Sequence, residues 1–463
     1  MTIVIVTIFI IGLVLIATEK YTNVNKAATA IFVGTIGWIL YICYGTDFVM
    51  SQHSKEYMEF LGGNVPDHQT VKYFIAQNIF LKYVGKASEI VLFLLSTMAV
   101  VEILQNNGCF DFIAGWLRTR NSKKMLWLMS LITFVISANL DNLTTTVMML
   151  TIMHGIVVSH RHRIMYGCAI VISANCGGAL TVIGDASGLV LWNSDLVTAT
   201  DYSLSMAVPC LLSWMVPVYW IGRKLPLRVD TEWGGIPYRG NDTRLNVWQR
   251  IAMLFVGIGG LWFIPTFHNI TKLSPFIGAL CVLTLLWTFN EIMNRKLMNT
   301  GLMTQSRIPM VLQYGVLQMI MFVLGVMLAV GVVRETGITY AIFDFIHEHL
   351  GNLFVVGVIV QLLSSILDSF AVAVTMFSFH DMSGIVASGS HGGDILSCMQ
   401  SGAYWKIVSF ASAAGGNILC IGSASGMALM KMERIKIGWY FRNVGVVSMV
   451  CSLISLGIMM CII

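Results

Sequence analysis

The chain has 463 residues, 11% of them charged and 56% hydrophobic, against about 25% charged in an ordinary soluble domain. Such a chain cannot cover itself with water-facing groups, and its net charge of +5 is no basic nucleic-acid surface. Long apolar runs recur throughout, and a bilayer cannot satisfy an open sheet edge, so an all-α polytopic membrane protein is expected, without a nucleic-acid partner.

The first run, Thr2 to Ala17, lacks the basic start and A-x-A exit of a signal peptide and is read as a retained helix. Apolar segments follow at 27–45 and 87–107. The loop 46–86 between them holds Val71, Phe74, Ile75 and Ile79 on one helical face; this suits either a membrane surface or an ordinary covering helix. Next come a pair of short arms at 125–158 and spans at 164–193 and 204–222. After a polar loop the pattern resumes with 248–264, 275–294, 312–334, a second short pair at 352–379, then 403–430 and 443–461. Basic loops at 108–124, 159–163, 223–247, 295–311 and 431–442 belong on the cytoplasmic side. The acidic loops 193–203 (Asp195, Asp201) and 380–402 (Asp381, Asp394) belong outside. Each short pair returns to its starting side, either as two short crossings or as a re-entrant hairpin. The ten cysteines are scattered, with no CxxC or Cys/His cluster, and read as packing residues.

The chain repeats itself. Residues 177–188 (GGALTVIGDASG) and 415–426 (GGNILCIGSASG) are identical at seven of twelve positions, where about one is expected from composition. Upstream, SANLDN at 137–142 matches SSILDS at 364–369, setting Asp141 against Asp368; Met98 and Gly108 match Met327 and Gly337. Each half has an odd number of single crossings, so the copies should be inverted relative to each other, an arrangement typical of secondary transporters. The fold expected is two inverted repeats with paired re-entrant hairpins and discontinuous helices. Its parts are first-repeat scaffold helices (1–124), a first-repeat transport part (125–222), a cytoplasmic linker (223–247), second-repeat scaffold helices (248–351) and a second-repeat transport part (352–463).

Gly177, Gly178, Gly184 and Gly188, and likewise Gly415, Gly416, Gly422 and Gly426, are read as helix breaks that free backbone groups at membrane depth; the alternative is that small residues allow close helix packing. Four acids fall inside predicted spans: Glu102, Asp141, Asp185 and Asp368. A carboxylate at the bilayer centre costs roughly 2.5–3.5 kcal/mol on insertion scales and needs a compensating role. Around them stand Asn142, Thr144, Thr145, Asn175, Thr181, Ser187, Ser364, Ser369, Asn417, Ser423 and Ser425, with no Arg inside the motifs. Oxygen donors of this kind suit a hard cation rather than an anion. A carboxylate buried beside others holds a proton more tightly, and an entering cation displaces it. Protons and cation sharing one set of groups give exchange without a separate coupling device. Glu102 is read either as a proton relay or as a structural group at the rim. His154 is read as a satisfied packing residue, Glu89 as solvated, and Lys406 as a structural residue snorkelling to external water.

At these residues the chain resembles the NhaD-type bacterial sodium/proton antiporters of the ion transporter superfamily. The likeness rests on SANLDNLTTT (137–146), NCGGALTVIGDASG (175–188), GGNILCIGSASGMALMKMERIKIGWY (415–440) and TMAVVEILQNNGCFDFI (97–113). It implies an elevator-like secondary transporter of the bacterial inner membrane, a homodimer, with transported Na+ (or Li+) and H+ and no cofactor. Carried over, it points to Asp141, Asn142, Asn175, Asp185, Ser364, Asp368 and Ser423 as the ion-binding and proton-carrying set. Glu102, Thr144, Ser187, Ser369 and Asn417 are accessory. Two departures stand out. Ser369 replaces the Asn usual in the second hairpin, and Ala186, Ser187 and Gly188 replace a threonine run. The rival readings are a sodium-coupled carboxylate or arsenite-type carrier, an ion channel, and, remotely, an intramembrane aspartyl protease using Asp141 and Asp368; the last lacks the GxGD motif.

Overall fold

The computed structural model describes residues 1–62, 67–117, 119–231, 245–294, 310–342, 345, 352–379 and 401–463. The charges invoked at Arg118, Arg239, Arg244, Arg295, Lys296, Arg307, Asp381 and Asp394 lie outside the described residues. Among those described no strand forms beyond two isolated bridges. The helices that build the two packed groups are α1 (Thr2–Ala17), α2 (Lys26–Cys43), α3 (Leu81–Asn106), α4 (Ser122–Ser137), α5 (Asn142–Ile156), α6 (His160–Leu180), α7 (Ala186–Asn193) and α8 (Ala199–Lys224), with shorter helices between some of them. After them come α9 (Val247–Thr271), α10 (Pro275–Asn294), α11 (Met310–Glu335), α12 (Leu353–Ile366), α13 (Ser369–Ser378), α14 (Ala403–Gly415), α15 (Ala424–Glu433) and α16 (Ile437–Ile462), the last with a wide π-type turn at Phe441–Gly445. Eight helices among the described residues are long and apolar enough to cross a bilayer.

The helices sort into two packed groups. In one, α2 lies along α11, α3 packs on α10 and α11, α9 on α10, and α1 covers α2. In the other, α6 packs on α4, α5 and α8, α14 packs on α12, α13 and α16, and α8 lies along α16. The groups meet where α13 touches α11 and α7 touches α3. Helix α6 is buried over most of its length, whereas α9 turns Trp248, Phe255 and Trp262 outward, as a lipid-facing helix should.

The sequence repeat is also a repeat of contacts. Each short pair is a helix–turn–helix, α4–α5 and α12–α13, and each conserved span is a helix, a break and a second helix, α6–α7 and α14–α15. Ser137 donates to the Ala174 carbonyl (2.6 Å), and its counterpart Ser364 donates to Ser412 (2.5 Å), the residue matched to Ala174. A side chain at Gly177 would collide with the Phe134 carbonyl, and one at Gly415 with that of the matching Gln361. Gly184 sits against Ser137 O and Gly422 against Ser364 O. The pattern is reciprocal across the halves: α5 packs on α15, and α13 on α7. Gly108 and Gly337 both take a left-handed backbone, φ +65° and +76°, where their helices end, a conformation that disfavours any side chain.

Three expectations change. Gly177 and Gly178 lie in the last turn of α6 and Gly188 and Gly426 lie inside α7 and α15, while Gly415 ends α14; only Gly184, Gly416 and Gly422 stand in the breaks. None of the eight has a positive φ. Their use is close approach: backbone carbonyls occupy the space a Cβ would fill. Residues 68–80 are no loop but the start of the helix that continues as α3. Val71, Phe74, Ile75 and Ile79 do share a face, yet that face is buried inside the protein, with Phe74 against Tyr57, rather than laid on lipid. Lys406 is buried and paired with Asp201 (2.6 Å) instead of reaching water.

Gly422→Ala places a methyl group against the Ser364 and Ser365 carbonyls and should cost about 1–3 kcal/mol. In thermal melts of detergent-solubilised protein it should melt below wild type, whereas Gly85→Ala, with open space around it, should not. A second expectation concerns His53, which bonds Glu335 at the end of α11 (2.7 Å). That hydrogen bond raises the imidazole pKa above its ordinary value and outweighs burial, which pulls it down. The contribution is therefore complete below about pH 6.5, the unfolded value, and fades as pH climbs through the raised one. The melting difference between wild type and His53→Gln should be largest in acid and close in alkali.

Candidate functional site

The two breaks and the two hairpin turns come together, and each starts a helix with an oxygen-bearing cap. Asp141 caps α5 by accepting from Thr144 N (3.0 Å) and Asp368 caps α13 by accepting from Phe370 N (3.1 Å). Ser423 caps α15 through Gly426 N (3.1 Å). Asp185 occupies the same cap position on α7, with φ −139° and ψ 145° against −135° and 149° at Ser423. Asp, Ser and Asn suit such positions because their side chains take up amides that the first helical turn leaves unpaired. The positive ends of four helix dipoles thus face the region where the acids lie, which favours negative charge there.

The predicted residues fall into three stations. In the first, Asp185 accepts from Asn142 Nδ2 (3.1 Å) and from Ser187 Oγ (2.5 Å). In the second, Asn175 Nδ2 donates to Asn417 Oδ1 (2.9 Å) and Ser423 Oγ (3.0 Å), joining the two breaks. Ser425 adds a bond to the Asn142 carbonyl (3.3 Å) and Tyr440 one to the Asn417 carbonyl (3.1 Å). In the third, Asp368 is paired with Lys26 (2.6 Å). Asp185 lies within electrostatic reach of both Asp141 and Asp368. The three acids do not converge on one point: among the described residues no three His, Cys, Asp or Glu side chains stand close enough to hold a metal together.

Asp141, Asn142, Thr144, Asn175, Asp185, Ser187, Ser364, Asp368, Asn417 and Ser423 are all buried. Four buried oxygens among these residues and their neighbour Thr145 find no hydrogen-bond partner among the described residues: Asp141 Oδ1, Asn142 Oδ1, Thr145 Oγ1 and Asn175 Oδ1. Buried acceptors without donors are costly and rare; a bound cation could meet all four of these oxygens, and a proton could meet Asp141 Oδ1. Ser364 contributes structurally, through its bond to Ser412 O. Ser369 places its backbone N–H on the Gly422 carbonyl (2.9 Å), so the hairpin turn is tied to the break whatever its side chain. Glu102, half-buried on α3, makes no hydrogen bond or ion pair with any of them among the described residues.

Two features were not anticipated. Lys26, at the edge of an apolar run, reads from sequence as an ordinary interface anchor; nothing local announces a partner 342 residues away. Glu433 is buried and gathers Arg163 (3.1 Å), His154 (3.1 Å) and His160 (3.4 Å). His154 thus hydrogen-bonds Glu433 across the halves rather than serving only as a packing residue. Glu89 likewise accepts from Asn193 (2.7 Å) and Ser274 (3.2 Å) instead of standing in water.

The family described as citrate transporter matches residues 13–388. The chain belongs to this family, within the ion transporter superfamily. Over 364 residues it is 30% identical to "Sodium/proton antiporter 1" of Arabidopsis thaliana, which covers 78% of this chain but only 59% of that relative. "Sodium/proton antiporter 2" of the same plant is 28% identical over 365 residues, 78% of this chain and 82% of the relative. "Na(+)/H(+) antiporter NhaD" of Vibrio parahaemolyticus is 25% identical over 372 residues, 75% and 83% of the two chains. The likeness to NhaD-type antiporters read from the motifs is therefore met. The protein is a multi-pass membrane transporter and not an enzyme, which removes the aspartyl-protease reading.

Asn175→Leu would strip partners from Asn417 and Ser423 at once. Leaving such buried groups unsatisfied costs about 1–3 kcal/mol, and thermal melting in detergent should show a loss that Ser369→Ala, a partly exposed position, does not.

Proposed function

We propose that the chain is a sodium/proton antiporter in which Na+ (or Li+) and H+ compete for the carboxylates at the two broken helices. The observation that carries this is the set of buried oxygens on Asp141, Asn142, Thr145 and Asn175 that lack donors, beside acids held at helix N-termini. With Asp141 protonated, its hydroxyl needs no further compensating charge at depth. A sodium ion arriving at the same oxygen favours the ionised form and releases that proton. Asn142 and Ser187 orient Asp185 through one hydrogen bond each, and Asn175 holds the two breaks in register. The helices α4–α8 and α12–α16 form the transport part, which moves against the framework of α1–α3 and α9–α11 as an elevator-like unit, in a homodimer of the bacterial cytoplasmic membrane. The family likeness and the division of packing support this reading.

A second reading, a citrate-type carrier, is favoured by the family's description and by the four helix N-termini, which attract anions. Against it, Asp141, Asp368 and Ser423 already take up amides of the first turns of α5, α13 and α15, and Lys26 and Lys406 are already paired with aspartates.

Everted vesicles carrying an imposed proton gradient separate the two. Added Na+ or Li+ should dissipate the gradient, and Asp141→Asn and Asp185→Asn should abolish the response. The apparent KM for Na+ should fall as pH rises, because fewer protons compete. Ser423→Ala, which removes one oxygen, should raise that KM about tenfold, equivalent to ~1.4 kcal/mol. A pH-independent KM, or citrate uptake without cation-driven proton movement, overturns the reading.

A further inference from the structure

Asp368 differs from the other two membrane acids in having a fixed positive partner. Lys26 Nζ lies 2.6 Å from Asp368 Oδ2, with both side chains largely buried (15% and 8% exposed). The other oxygen, Oδ1, accepts from Phe370 N, so both are engaged. The ammonium also stands 4.2 Å from the centre of the Phe322 ring on α11, within range of a cation–π attraction. Lys26 begins α2, in one helix group, and Asp368 caps α13, in the other. A cavity of about 380 Å³ lies alongside, lined by Glu19, Asn23, Asn25, Gln318, Met427 and Lys431. Asn25 precedes Lys26 in the chain and Gln318 is one helical turn before Phe322. A released ammonium therefore has polar, water-sized space beside it.

Building on the antiport reading, we propose that Lys26 is a tethered cation that holds the Asp368 site until a transported cation displaces it. Sodium binding at Asp368 competes with the ammonium for Oδ2. The species exchanged at Asp368 is lysine for sodium, while Asp141 and Asp185 handle protons. Because the pair joins the two helix groups, occupancy by sodium also releases this one contact between them. Breaking a buried pair from one side leaves the other charge uncompensated, so removing Lys26 should make Asp368 a stronger cation site.

Equilibrium binding of radioactive sodium to purified protein at alkaline pH tests this, alongside sodium-driven proton flux in proteoliposomes. Lys26→Gln should bind sodium about tenfold more tightly, ~1.4 kcal/mol, with a lower KM and a lower turnover. Lys26→Arg should restore the wild-type KM. In an Asp368→Asn background the same Lys26→Gln change should leave affinity unaltered. Unchanged or weaker affinity in folded Lys26→Gln, or an equal shift without Asp368, overturns the proposal. Lys26→Met keeps the stem over Phe322 and serves if Lys26→Gln does not fold; failure of both while Lys26→Arg folds makes Lys26 a structural strut and overturns it too. If wild type binds and exchanges sodium but the Lys26 variants do not tighten, only the role of Lys26 falls. If wild type neither binds nor exchanges sodium, the antiport reading falls and takes this one with it.

Discussion

Helices that start in the middle of a bilayer must find partners for the amides of their first turn without help from water. Here α5, α13 and α15 do so through Asp141, Asp368 and Ser423, while Asp185 at the start of α7 accepts from the Asn142 and Ser187 side chains instead. The acids at Asp141 and Asp368 are placed by this requirement. Their charge suits the helix ends, while burial opposes it. Polar neighbours such as Asn142, Asn175 and Ser187 then complete the arrangement by fixing which oxygens remain open.

The close approach of the helices depends on the glycines in a way that differs from their usual role. At Gly177, Gly184, Gly415 and Gly422 a backbone carbonyl of the adjacent hairpin fills the place of a missing Cβ. The carbonyls concerned belong to Phe134, Ser137, Gln361 and Ser364, which match one another across the halves. Two copies of a motif therefore specify two copies of a contact. The identity of the residues matters less than the absence of side chains at four points.

Much of this was legible from the chain alone. Hydropathy located every helix of both groups, and the paired motifs located the breaks and the hairpin turns, because these depend on local pattern. The equivalence of Asp141 and Asp368 followed from the same alignment of halves, but their roles as helix caps did not. What could not be read were contacts made by long, flexible side chains between distant segments. Lys26 and Asp368, Glu433 with His154, His160 and Arg163, and Lys406 with Asp201 all join residues more than a hundred positions apart. No periodicity encodes such pairs. Of the two readings of the face at Val71, Phe74, Ile75 and Ile79, only the covering helix holds; the sequence alone could not choose, because an amphipathic face looks the same whether it meets lipid or protein.

The crossed packing of α5 on α15 and of α13 on α7 bears on how the chain is made. When the ribosome has finished the first half, α5 and α7 have neither of their covering helices, and Asp185 and Asn142 stand without the breaks that enclose them. Nothing in the first half can substitute, since its own copy of the covering helix is the one left bare. The membrane must therefore harbour an unfinished intermediate with polar surfaces until α15 is inserted. That obliges the two halves to mature together and makes neither a self-sufficient folding unit.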